Sequence, residues 1–276
     1  MRGPRGIIYA VGGVARPVVG SMALSAGGLA LFRGVVSADV LAASNDVVGN
    51  YLQTLGSIYA VLLAFVVFVV WTQFNEARTY VEREANELLD LYRTVRGLPD
   101  PTRGRVRESA RRYVDIVLDS EWRAMAHGAM LGPGAGALIL DDMWAAVHGA
   151  EPSQEPERSI YREALKRLDD LSDARSNRLN SSRTTIPLSL QILLYTGAVS
   201  VVGSMYLFAV ESFAIHAAIT ALLAGAISHV LYVIWDLDGC FTGHWQVPRT
   251  PFERVRDQLG AEAAAESFTA IAGNPT

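Results

Sequence analysis

Four polar residues, Asn50, Gln53, Thr54 and Ser57, stand at the spacing i, i+3, i+4, i+7, which gathers their side chains on one face of a helix. At about 100° per residue that face continues through Val61, Phe65, Phe68, Thr72 and Glu76. It offers amides and hydroxyls at one end, an apolar stretch in the middle and a carboxylate at the other end. Such a face suits a water-filled passage whose apolar middle gates by excluding water. The same pattern also suits ordinary packing, with the polar groups hydrogen-bonded to neighbouring helices. Leu52, Leu55, Tyr59, Leu62, Leu63, Val66 and Val70 lie on the opposite face, free to meet lipid or other helices.

Other chemistry is thinner. Asp236-Leu-Asp238-Gly239 starts like a calcium loop. An EF-hand needs a further acid at its fifth position, glycine at the sixth and glutamate at the twelfth. Here those places hold Cys240, Phe241 and Val247, so no metal is expected, and the segment reads as the end of a span. His216 and His229 share one apolar stretch. His229 sits deep enough to be a functional candidate within a membrane, with a hydrogen-bonded packing role as the plainer reading. Cys240 is the single cysteine, which excludes an intrachain disulfide and any CxxC metal site. There is no HExxH, GxSxG or phosphate-loop pattern, so neither an enzyme nor a cofactor is expected. The absence of a basic stripe with interleaved aromatics argues against nucleic acid.

The elements that must carry this stripe follow from the hydropathy pattern. Of 276 residues, 50% are hydrophobic and 19% charged, against about 25% charged in an ordinary soluble domain. Most of the 24 Lys+Arg and 28 Asp+Glu fall between residues 73 and 185, which leaves the flanking segments 7 Lys+Arg and 9 Asp+Glu. Crossing a bilayer takes ~20 mostly apolar residues. Stretches at 186–210 and 213–237 meet that length, and a third meets it over 47–72. A fourth, over about 8–32, is interrupted by Arg16 and Pro17, and Pro17 would suit the first turn of a helix. In that stretch Ser21/Ser25 and Ala23/Gly27 are small pairs four apart, suited to close packing in lipid. A cleaved signal peptide competes for this segment, with Arg2 and Arg5 ahead of a short apolar core.

Arginines Arg2, Arg5, Arg249, Arg254 and Arg256 lie at the two ends, and the connections at 33–46 and 211 carry almost none. Positive-inside bias therefore puts both termini in the cytoplasm. The expected fold class is all-α, a four-span helical membrane protein with a large cytoplasmic helical bundle between spans 2 and 3. The expected divisions are a first transmembrane hairpin at 1–72, the cytoplasmic region at 73–185, a second hairpin at 186–237 and a cytoplasmic tail at 238–276. From Asp46 to Arg96 there is no proline, so span 2 is expected to run on as one helix of ~75 Å. Within the charged block three apolar stripes repeat at helical spacing: Val81-Ala85-Leu88-Tyr92-Val95, Val106-Ala110-Tyr113-Val114-Val117-Trp122, and Ile160-Ala164-Leu165-Leu168-Leu171. Residues 98–101, 128–136 and 151–157 read as breaks or loops. Arg175, Arg178 and Arg183, just before span 3, are expected at the inner membrane surface, where acidic lipid attracts them.

Asn45-Asp-Val-Val-Gly49, the run from Gly56 to Phe65, Trp71-Thr-Gln-Phe-Asn-Glu-Ala77, Glu84-Ala85, Leu171-Ser-Asp-Ala-Arg175 and Asp236-Leu-Asp-Gly-Cys-Phe-Thr-Gly243 together resemble a bacterial bestrophin-like family of unknown function. More distantly the chain resembles bestrophins. That resemblance implies a pentameric anion channel with four spans per subunit and both termini inside. It implies a neck of apolar side chains on span 2, here Val61, Phe65 and Phe68. Where bestrophins carry a Pro-Phe-Gly element beside calcium-binding acids, this chain has Cys240-Phe241-Thr242-Gly243 behind Asp236 and Asp238. The proline and the acidic cluster are missing, which speaks against calcium control.

These readings lead to an expected multi-pass protein of the cell membrane. Its expected partners are the lipid bilayer, further copies of itself and small anions. The candidate pore-lining residues are Asn50, Gln53, Thr54, Ser57, Val61, Phe65, Phe68, Thr72 and Glu76. The membrane-exit motif is Asp236, Asp238, Phe241 and Gly243. The alternative is a non-conducting membrane scaffold whose cytoplasmic bundle binds a partner protein.

Overall fold

The structure is a computed structural model, and it describes residues 4–42, 44–127 and 134–272, with the side chains of 4–11, 38, 39 and 266–272 excepted. Among the described residues every regular element is helical. The order is α1 (Pro4–Val35), α2 (Ala38–Ala42), α3 (Asn45–Thr94), α4 (Thr102–Ile116), α5 (Trp122–Ala126), α6 (Ala135–His148), α7 (Glu155–Ser181), α8 (Leu188–Met205), α9 (Phe213–Asp238) and α10 (Thr250–Ala272). Four helical stretches are long and apolar enough to cross a membrane: Gly12–Val35, Asn45–Gly97, Leu188–Met205 and Phe213–Asp238. The chain divides into two compact units. One holds the residues up to Thr72 together with Thr185–Asp238, and the other holds Gln73–Thr184 and the residues from Gly239 on.

In the first unit α1 and α9 pack antiparallel, as successive contacts demonstrate. Ser228 Oγ donates to the Pro17 carbonyl (3.2 Å), Ser21 Oγ to the Ala224 carbonyl (3.3 Å), and Arg33 lies 3.1 Å from His216 Nδ1. The expected small pair Ser21/Ser25 faces this contact, whereas Ala23 and Gly27 are exposed. Pro17 is not at a first turn; it lies inside α1. A proline removes only one backbone donor, and transmembrane-type helices tolerate this where neighbouring groups bond to the local backbone.

α8 is shorter than the 186–210 stretch suggested, ending at Met205. Side chains take over the backbone bonding beyond it. The Asn45 amide both donates to and accepts from Ala209 (3.2 and 2.9 Å), Arg33 donates to the Val210 carbonyl, and His216 Nε2 meets the Met205 carbonyl (2.8 Å). His216 is thus the buried, hydrogen-bonded histidine. His229, for which such a role was expected, is exposed on this chain.

α3 and α8 meet at Gly197. A Cβ there would fall 2.5 Å from the ring of Tyr59, whose hydroxyl donates to the Leu194 carbonyl (2.8 Å). Gly197→Ala is therefore expected to cost ~1–3 kcal/mol by overpacking. A lowered thermal midpoint in detergent checks this, and a midpoint equal to wild type would contradict it.

In the second unit the three expected stripes are largely buried, with Val81, Leu88, Tyr92, Val106, Tyr113, Leu168 and Leu171 at 0% exposure. α3 ends at Thr94 in a short 3-10 turn, ahead of the two prolines. Two loop readings need correcting. Most of 128–136 lies outside the described residues, but Ala135 and Gly136 already belong to α6. The 151–157 loop stops at Gln154, because Glu157 accepts from the Gln154 and Ser153 amides (3.3 and 2.8 Å) in a capping box that starts α7 at Glu155. Beyond residue 250 the chain is helical, and α10 buries Phe252, Val255 and Leu259.

Candidate functional site

α3 has two sharply different sides within the first unit. Tyr59, Leu63, Val66 and Val70 are buried, at 4, 9, 0 and 0% exposure. The candidate stripe points away from the rest of its own chain. Val61, Phe65 and Phe68 are 71, 62 and 66% exposed. Asn50, Gln53, Thr54, Ser57 and Glu76 are exposed and Thr72 is half-buried. The stripe's hydroxyls bond to their own helix: Thr54 Oγ1 to the Asn50 carbonyl (3.0 Å), Ser57 Oγ to Gln53 (2.7 Å) and Thr72 Oγ1 to Phe68 (2.9 Å). They do not bind this chain's other helices together. Between Asp46 and Glu76 no residue carries a charge, so no charged ring lies on the stripe's inner section.

The exit motif is ordered by backbone contacts. Asp238 ends α9 and its carboxylate accepts from the Ile186 amide (2.8 Å), just ahead of α8. Asp236 is buried at 2% exposure. In the second unit Phe241 is buried edge-on against Trp122 (ring centroids 5.6 Å), and the turn closes through the Thr242 amide on the Gly239 carbonyl (2.8 Å). Gly243 follows with a φ of 73°. Among the described residues no three His, Cys, Asp or Glu side chains converge on a metal position.

The second unit contains an ionic core. Arg178 Nε and Nη2 donate to the two carboxylate oxygens of Glu84 (2.6 and 3.1 Å), and Nη2 also reaches Glu121 (2.7 Å). Arg175 grips Glu121 with two nitrogens (2.8 and 2.7 Å), while the Tyr113 hydroxyl donates to Glu84 (2.6 Å). Glu84 and Arg178 are fully buried, Glu121 and Arg175 nearly so. This overturns the expectation that Arg175 and Arg178 meet acidic lipid at the membrane surface. Each sits on the apolar register of α7 and finds a buried carboxylate instead. Glu121 reaches them from a π-helical turn at Val117–Glu121, a geometry that re-aims a side chain by inserting one residue.

Burial pushes Tyr113 well above its ordinary range, with Glu84 adding to it, so it stays a protonated donor. Burial by itself raises the Glu121 carboxyl, but Arg175 and Arg178 outweigh it and hold the group below its ordinary 4.5. The folded state therefore binds this proton less readily than the unfolded one. Its contribution is complete above the ordinary glutamate range and is lost as pH falls through the lower folded value. The thermal midpoint is expected to fall as pH drops below about 4.5; a flat profile through that window would contradict this role.

A family model for the Bestrophin-like domain matches residues 19–252, most of the chain. The chain belongs to the bestrophin-like family. Crystal structures of a bacterial bestrophin homologue from Klebsiella pneumoniae resemble this bestrophin-like chain along nearly their whole length. One variant has a TM-score of 0.64 at 14% identity, covering 88% of this chain and 97% of that one. Another has 0.65 at 13%, covering 90% and 99%. At such identity the likeness is one of fold. A further neighbour, described as a membrane protein, has a TM-score of 0.64 at 14% identity, covering 88% and 97%. No curated protein matches the chain.

The bestrophin-like match encloses the α3 stripe, the ionic core and most of the exit motif's surroundings. Sequence reasoning singled out the stripe and the motif but missed the ionic core. A signal was present: Glu84 interrupts the apolar register Val81-Ala85-Leu88, and Arg175 and Arg178 continue that of Leu168-Leu171. A charge inside an apolar stripe needs a buried partner.

Proposed function

We propose that this bestrophin-like protein is a homo-oligomeric membrane pore for small anions, lined by the α3 stripe. The observation that carries this reading is the division of α3 itself. One face is buried against its own chain, and the other presents Asn50, Gln53, Thr54 and Ser57, then Val61, Phe65 and Phe68, then Thr72 and Glu76, with its hydroxyls satisfied by their own helix. A face left free by its own subunit and polar at both ends suits a passage shared by several copies. The three apolar residues form the neck, where a narrow dry section sets the barrier to ions. Pentameric assembly and anion preference come from the bestrophin resemblance.

In this reading the four spans put both termini in the cytoplasm, residues 73–185 form a cytoplasmic bundle, and Asp236, Asp238, Phe241 and Gly243 mark where the chain leaves the membrane. The aromatic middle of the exposed face also suits lipid, and that observation favours the scaffold alternative. Planar-bilayer recording of the purified protein in chloride separates the two. Chloride currents absent from empty bilayers are expected. Silence in symmetric and asymmetric chloride, at both polarities, would leave the scaffold.

A further inference from the structure

The first unit has a second feature, unconnected with the stripe. A cavity of about 910 Å³ lies between α1, α8 and α9. Its size lies toward the upper end of the ~300–1,000 Å³ usual for small-molecule sites. Leu24, Val199, Val202 and Leu231 are among the apolar residues that line it. Apart from that of Tyr195, the hydroxyls on its wall are already committed. Ser21 donates to the Val18 and Ala224 carbonyls, Ser25 to Met22, Ser228 to Pro17, and the Tyr206 phenol to the Ser25 carbonyl (2.8 Å). A polar solute would find almost no free partner there, so the wall acts as hydrocarbon.

The two ends of this groove differ. The contacts of Ser228 with Pro17 and of Ser21 with Ala224 set Arg16 level with His229, six residues or ~9 Å short of Trp235, with Ser25 and Ala224 deeper still. From Ala224 to Trp235 is eleven residues of helix, or ~16 Å. That is about the depth of one leaflet's hydrocarbon, half of a core ~30 Å thick. Arg16 is exposed, and among the described residues no carboxylate pairs with it. Tyr232 and Trp235, whose rings lie 6.3 Å apart, give the Trp235 end the aromatic character of a membrane interface. An apolar slot one leaflet deep, whose one cation among the described lining residues, Arg16, can snorkel outward toward the interfacial mouth, complements one kind of molecule.

We propose that this groove holds one acidic phospholipid of the Arg16-side leaflet, with an acyl chain along α8 and α9 and its phosphate at Arg16. The site needs only the membrane unit, so it stands or falls apart from conduction.

Trp235, 63% exposed at the groove mouth, supplies the test. The full-length protein is reconstituted in vesicles of phosphatidylcholine with one-fifth phosphatidylglycerol, with bromines on the chains of one lipid or the other. The Trp235 signal is the difference between wild type and Trp235→Phe. Quenching per brominated lipid is expected to be about fivefold greater when phosphatidylglycerol carries the bromine, the preference one cation near an acidic surface provides. Arg16→Gln is expected to abolish the preference while leaving quenching by both lipids. Equal quenching per lipid in wild type would mean an ordinary lipid annulus and overturn the proposal. No quenching by either lipid would mean that another part of the assembly fills the groove, which also overturns it. Should Arg16→Gln not fold, native mass spectrometry of wild type decides: a retained phosphatidylglycerol adduct supports the site, and equal retention of phosphatidylcholine refutes it.

Discussion

Phe65→Ala is expected to raise the single-channel chloride conductance of the reconstituted protein by about tenfold, the change that ~1.4 kcal/mol off the rate-limiting barrier produces. Phe65 is the middle of three apolar residues on the free face of α3, with Val61 and Phe68 on either side. In a shared passage this ring, repeated by every subunit, would form the driest section. Water leaves a narrow apolar ring more readily than a wide one, and an ion must shed hydration to cross it. Alanine both widens the section and removes the aromatic wall. Because Phe65 points away from its own chain, the substitution opens no cavity in the folded subunit, so a stability loss is not expected to blur the result. An unchanged conductance beside a normal oligomer would mean that the neck lies elsewhere.

The second large effect concerns folding. Arg178→Ala is expected to cost ~3–5 kcal/mol, because it leaves two buried carboxylates short of a partner. Glu84 would retain only the Tyr113 hydroxyl, and Glu121 only Arg175. A domain is typically stable by only ~5–15 kcal/mol, so this loss is large. Arg178→Lys is expected to be nearly as harmful, since one ammonium cannot reproduce the forked contacts to Glu84 and Glu121. Loss of the monodisperse peak on size-exclusion chromatography, with increased protease sensitivity in residues 73–184, is the expected result. A variant that elutes and melts like wild type would show the cluster to be dispensable.

The parts of the fold legible in the sequence were those with a clean period. The unbroken helix through α3 follows from a long proline-free run, and the three stripes of the second unit from apolar residues at helical spacing. Boundaries were harder, because they depend on side chains distant in sequence. α8 stops at Met205 where Asn45, Arg33 and His216 capture the following backbone, contacts separated by up to 177 residues. α6 and α10 went unrecognised as helices: α6 follows a glycine-rich stretch, and α10 follows a span that suggested only a tail. For the candidate site, spacing identified which residues share a face. It gave no account of Arg175 and Arg178, because a pair of arginines beside a span reads the same whether the partner is lipid phosphate or a carboxylate some 54 to 94 positions away.

In the proposed pore the free face of α3 is turned toward identical copies of itself. A nitroxide at Phe65→Cys, in a Cys240→Ser background, tests this in reconstituted protein by spin–spin broadening. Strong broadening that disappears when labelled chains are diluted with unlabelled ones is expected, because the labels crowd around a common axis. A narrow spectrum at full labelling, with the label accessible to oxygen dissolved in the lipid, would put Phe65 in the bilayer and contradict the account.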